Sequence, residues 1–162
     1  MCVGTTPTTG FCTSVGCNLQ PLNFTACDSG AGYPYYGTEF CSSRATVIVL
    51  SAGWCSACMA EAPIIERDIT RVYASRGVRV LTVLDQDPDR TPATTSFCLR
   101  WQSRYGLSSR MVTDPGEMFS RALRVTAYPF IAVVNRFGRV RLAQPVPSTS
   151  ALRSAIESAL AE

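Results

Sequence analysis

The chain has 162 residues, of which 46% are apolar and 17% charged, with fifteen basic and twelve acidic side chains and a net charge of +3. That length and balance suit one globular domain with a proper core and exclude a disordered chain, and the charge is too small to argue for nucleic acid or an anionic membrane as a partner. No apolar run approaches the ~20 residues needed to span a bilayer.

Residues 1–17 read as a cysteine-containing tail of Gly, Thr and Pro, and residues 18–162 as one domain. Residues 22–26 have the pattern of a short strand, 30–34 are turn material, and 35–40 read as a second strand or extended piece. The apolar, β-branched run 46–51 is what a strand buried on both faces requires. From Cys58 the apolar positions Ala62, Ile65, Ile69, Val72 and Tyr73 recur at three- and four-residue steps, predicting a helix to about Ser75 with a stop at Gly77. Pro63 inside it predicts a kink, because it removes a backbone donor.

Residues 78–84 form a second buried strand, ending in the polar run Asp85-Gln86-Asp87-Pro88-Asp89. A helix over 93–105, a short segment near Met111 and a short helix over 116–123 follow. Strands at 130–134 and 140–143 are joined through Asn135-Arg136-Phe137-Gly138, a hairpin signal, and a terminal helix runs from Ser148 to about Leu160. Strands alternating with helices, then a hairpin and a helix, predict a three-layer α/β sandwich.

Eight cysteines in so short a chain point to an oxidising, extracytoplasmic compartment. Cys27 and Cys41 flank the expected hairpin and are the favoured structural pair. Cys98, on the apolar stripe of its helix, reads either as a buried thiol or as a partner of Cys12 or Cys17; connectivity is not deducible from spacing. The expected location is the periplasm, with a lipid anchor or without, or outside the cell; if Met1 is absent from the mature chain, Cys2 would be the first residue of a bacterial lipoprotein, with the Thr/Gly-rich stretch as tether. Otherwise Cys2 is another disulfide partner or a dangling thiol.

The chemistry concentrates in Trp54-Cys55-Ser56-Ala57-Cys58, which follows a strand and opens a helix. Two cysteines at this spacing and junction have the geometry of a reversible dithiol/disulfide. Cys55, the exposed member at the helix N-terminus, is the expected nucleophile, since orphan N–H groups and the helix dipole favour its thiolate. Cys58 resolves the mixed disulfide. Glu61 lies three residues along the same helix face and is placed to take the Cys58 proton; the bland alternative is a solvated first-turn glutamate. Trp54 offers a flat apolar contact for substrate. Zinc would need about four ligands, and the chain has no histidine and no second Cys-x-x-Cys. No metal or cofactor beyond the disulfide itself is expected.

With these motifs the chain resembles the thioredoxin superfamily, and within it the membrane-tethered or secreted oxidoreductases of the TlpA/ResA type. Three stretches carry the resemblance: Trp54-Cys55-Ser56-Ala57-Cys58; Glu61-Ala62-Pro63, where the family has Glu-x-Pro; and Tyr128-Pro129-Phe130, before an apolar strand and the turn 135–138. The resemblance implies a thioredoxin-like α/β/α sandwich with a mixed central sheet and an N-terminal β extension, which residues 22–40 would supply. It also implies a cis peptide before Pro129, presenting the Tyr128 backbone to a substrate strand, and a proton-accepting role for Glu61. The chain departs from thioredoxin at Val49, where thioredoxin has a buried Asp, and from the family at Tyr128, where Thr or Val is usual.

The expected activity is protein thiol-disulfide exchange through Cys55 and Cys58, serving cell redox homeostasis. The uncharged Ser56-Ala57 pair weakly favours a reductant. Its partners would be protein thiols and disulfides and an upstream electron donor, with the chain itself a monomer. The alternatives are a disulfide oxidase or isomerase, or a thioredoxin-fold binding module whose Cys55–Cys58 bond is only structural.

Overall fold

The computed structural model describes residues 6–162; the tether expected at Cys2 lies outside them. Seven strands form one mixed sheet in the order β2-β1-β5-β4-β3-β6-β7. They are β1 (Asn23–Ala26), β2 (Gly32–Pro34), β3 (Ala45–Ser51), β4 (Val78–Leu84), β5 (Arg110–Thr113), β6 (Phe130–Asn135) and β7 (Val140–Pro145). The apolar runs behave as expected of central strands: every residue of β3, β4 and β6 is buried. β3, β4 and β5 run parallel, and β6 enters antiparallel to β3.

The pleat sends alternate residues to two helical layers. Ile48, Leu50, Leu81 and Val83 meet one face, with α1 (Thr38–Ser42) and α5 (Met118–Ala122) contributing Phe40 and Phe119. Val47, Val49 and Val80 meet the other, under α2 (Ser56–Ile65), α3 (Arg71–Tyr73) and α6 (Thr149–Leu160). On that side α4 (Thr95–Tyr105) packs Cys98 and Trp101 against Cys58 and Ala62. This is the three-layer, mixed-sheet, thioredoxin-like arrangement.

Two elements differ from expectation. The second strand is Gly32–Pro34, paired to β1, while the aromatic stretch beyond it turns into α1. Tyr35, Tyr36 and Phe40 form an edge-on aromatic cluster, and burying those rings outweighs their strand propensity. The helix expected to run unbroken from Cys58 is interrupted: behind Pro63 the backbone widens into a π-helical turn over Glu66–Thr70 before α3 resumes, and Gly77 ends the run at φ +79. A proline withholding one hydrogen bond is a recognised cause of such a break.

The structural disulfides also need correcting. Cys27 pairs with Cys98, not with Cys41, and Cys12 pairs with Cys17 rather than with Cys98. β1 lies antiparallel on β5, so Cys27 follows it to the Met111 carbonyl, 3.1 Å away, directly under α4. Cys41 is exposed on α1, across the sheet, and is engaged in a disulfide of its own. Residues 10–19 lie along the β6–β7 hairpin, with Gly16 N–H on the Val140 carbonyl and Leu19 N–H on that of Gly138, both at 2.8 Å.

Candidate active site

Register places three loops at one end of the sheet. Ser51 of β3 stands opposite Leu84 of β4, and Leu50 opposite Phe130 of β6. The loop after β3, carrying Trp54 and Cys55, therefore meets the loop after β4 and the Tyr128–Pro129 segment before β6. The ends of parallel strands are where α/β folds form crevices. Contact between the first two loops is tight: a Cβ on Gly53 would fall 2.7 Å from the Pro88 nitrogen and 2.8 Å from the Phe97 ring, so only glycine fits.

Cys55 is the N-cap of α2 and is disulfide-bonded to Cys58, with 5.2 Å between their Cα atoms. The Cys58 backbone N–H donates to Cys55 Sγ at 3.1 Å. That orphan donor and the positive end of the helix are what lower the pKa of a thiol placed here. Cys55 is the more accessible sulfur-bearing residue, but at 5% exposure against 1% for Cys58 it is far less open than expected. Half-buried Trp54 and Tyr128 pack against the cluster that encloses both sulfurs, and this explains the shielding.

Tyr128–Pro129 is a cis peptide bond, and Pro129 is buried. Glu61 and Cys58 line one cavity behind the disulfide, together with Val49, Thr82, Trp101 and Pro129. Partial burial raises the Glu61 carboxyl above the usual carboxylate range. It is thus a group able to hold a proton nearer neutrality. All six candidate residues (Trp54, Cys55, Cys58, Glu61, Tyr128 and Pro129) lie in this one region.

Sequence reading missed what surrounds them. The Trp54 indole N–H donates to Gln86 Oε1 at 2.6 Å, and Gln86 in turn donates to Glu117 Oε1 at 2.9 Å. Tyr128 meets Trp54 edge-on, with centroids 5.2 Å apart. The Tyr128 hydroxyl donates to Asp85, which is fully buried and also accepts from Ser120 at 3.3 Å. Burial, opposed by the Tyr128 hydrogen bond and aided by Glu117, pushes the Asp85 carboxyl up to about 6. Arg90, at φ +67, stacks its guanidinium 4.1 Å above the Trp54 ring. The polar run closing β4 was the available signal, since it had to sit beside the loop following β3.

A thioredoxin-like sandwich with a disulfide at the Cys-x-x-Cys position of its first long helix defines the class: a thioredoxin-like redox fold. The Redoxin family model matches residues 23–160, and the chain belongs to that family. The sequence matches no curated protein. Solved structures are similar in fold. A thioredoxin-like protein from Aeropyrum pernix is 22% identical, with 85% of this chain and 89% of that one covered at a TM-score of 0.70. A thiol:disulfide interchange protein from Chlorobium tepidum is 17% identical, with 88% and 95% covered at 0.68. A secreted disulfide oxidoreductase of Mycobacterium tuberculosis is 18% identical, with 85% and 95% covered at 0.63.

Proposed function

We propose that this chain is an extracytoplasmic thiol-disulfide oxidoreductase that reduces protein disulfides. The observation that carries the reading is Cys55 at the N-cap of α2, its sulfur held by the Cys58 N–H beside a cis Tyr128–Pro129 bond. In the reduced enzyme the Cys55 thiolate attacks a substrate disulfide, forming a mixed disulfide and releasing one substrate thiolate. Cys58 passes its proton to Glu61 and attacks Cys55 Sγ, releasing the second substrate thiolate. The Cys55–Cys58 disulfide that results is the state of this structure. A dithiol protein must then supply two electrons to restore the enzyme.

Trp54 and the Tyr128 backbone form the face against which an extended substrate strand would lie. Export is supported by the number of disulfides and by the secreted neighbour. Among the described residues no helix is long and apolar enough to cross a membrane; a lipid on Cys2 is one form a tether could take. The test is reduction of insulin by the full chain with a dithiol donor. Cys55-dependent turnover and a midpoint at or below about −250 mV are expected. A midpoint near about −120 to −180 mV would make the chain an oxidase or isomerase, and a pair that resists titration in the folded protein would end the enzymatic reading.

A further inference from the structure

Asp85 is an expensive residue to place where it is. It sits at the end of β4 with no exposed surface; one carboxylate oxygen accepts from Tyr128 and Ser120, and the other is buried without a partner. Glu117 and Asp114 both oppose its charge, Arg121 acts on Asp114 rather than on Asp85, and no ion pair reaches Asp85 among the described residues. A buried carboxylate so poorly compensated lowers stability. Its local consequence lies in what it holds.

Tyr128 stands immediately before the cis-proline and is half-buried, with its ring edge-on to Trp54. Two polar anchors fix the two rings from below. Gln86, backed by Glu117, holds the indole of Trp54; Asp85, backed by Ser120, holds the phenol of Tyr128. The anchors are consecutive residues of one strand end, so the two rings share one rigid support. A valine or threonine at 128 would have no reach to such an anchor.

Resting on the exchange function proposed above, we propose that Asp85 is a positioning residue for substrate capture. Through the Tyr128 hydroxyl it locks Tyr128 against Trp54, and this fixes the aromatic platform on which a peptide strand lies beside Cys55. It makes no contact with the sulfurs and takes no part in proton transfer to Cys58. The occupant it serves is an extended peptide flanking a disulfide, because a platform of two rings and a cis-proline backbone offers little to a small disulfide.

The experiment compares the full chain with Y128F, D85N, D85A and the Y128F/D85A double variant in insulin reduction, with KM and kcat separated. Trp54 emission is read in a Trp101→Phe background. Y128F and D85A are each expected to raise KM about five- to tenfold, as loss of one ordinary hydrogen bond gives, with a smaller effect on kcat. The double variant should be no worse than Y128F, because Y128F already removes the bond to Asp85 along with the 3.4 Å contact between the Tyr128 hydroxyl and Ser120. D85N should restore the wild-type KM and Trp54 spectrum, since its amide oxygen still accepts from Tyr128. If D85A fails to fold, Y128F and D85N decide the matter. Wild-type KM and Trp54 emission in Y128F, or a D85N variant as impaired as Y128F, would overturn the proposal while leaving the exchange reaction standing. A wild-type chain without Cys55-dependent turnover would overturn both.

Discussion

Two disulfides of this protein sit in one hydrophobic cluster and are almost equally hidden: Cys55 and Cys58 are 5% and 1% exposed, Cys27 and Cys98 3% and 0%. Exposure therefore does not separate the bond proposed above to exchange from a structural one; backbone placement does. Cys55 and Cys58 are three residues apart at the start of a helix, where the Cys58 backbone N–H donates to the Cys55 sulfur. Cys27 and Cys98 are 71 residues apart and join the N-terminal β extension to α4, so opening that bond uncouples two elements of the core. The first bond is local and can be remade by its own helix; the second depends on the whole fold.

The sharpest way to break this comparison is Cys55→Ser. It should lower insulin reduction by at least about a thousandfold, to background, without changing the denaturation midpoint appreciably. Replacing Cys27 and Cys98 together by alanine should do the reverse. It should cost about 3–4 kcal/mol in chemical denaturation, as expected for a bond closing a long loop, and leave Cys55 exchange working in the folded fraction.

Asp85 sharpens the contrast between site and scaffold. Its carboxyl titrates at about 6 in the fold against 3.8 for an ordinary aspartate, so the folded protein holds a proton that the unfolded chain has already released. The stability it permits is present in full below about pH 4 and is lost as the pH rises through 6. Asp85→Asn should accordingly stabilise the protein by about 1–3 kcal/mol at pH 7.5 and by almost nothing at pH 4. Urea denaturation at the two pH values checks this; equal effects at both would contradict it. Smallest is Glu61→Gln, expected to slow resolution of a mixed disulfide by about tenfold and to flatten its pH dependence. Stopped-flow trapping of the Cys55 mixed disulfide measures both.

What was legible in the sequence is what the chain encodes locally. Cys55 and Cys58 declare themselves by spacing and the strand before them by its β-branched run, whereas Tyr128–Pro129 is marked only by the family resemblance. The misread features depend on distant register. Cys27 reaches Cys98 only because Ala26 pairs with Val112, 86 positions away, which no spacing near Cys27 reveals. Asp85 stands out in the sequence only as the first residue of the polar run that ends β4, and nothing in that run marks it as buried. Its burial follows from Tyr128 and Ser120 closing over it from another part of the chain. The π-helical turn over Glu66–Thr70 was half visible: Pro63 marked the break without giving its form.

The central claim is that Cys55–Cys58 is the exchanging bond and Cys27–Cys98 the fixed one. The direct test is a glutathione and dithiothreitol titration of the native protein, with thiols trapped at each potential and every cysteine assigned by peptide mass. The account predicts that Cys55 and Cys58 become trapped together, reversibly and while the protein remains folded, with Cys27 and Cys98 still joined. Reduction of Cys27–Cys98 alongside Cys55–Cys58, or a Cys55–Cys58 bond that opens only when the protein unfolds, would contradict it.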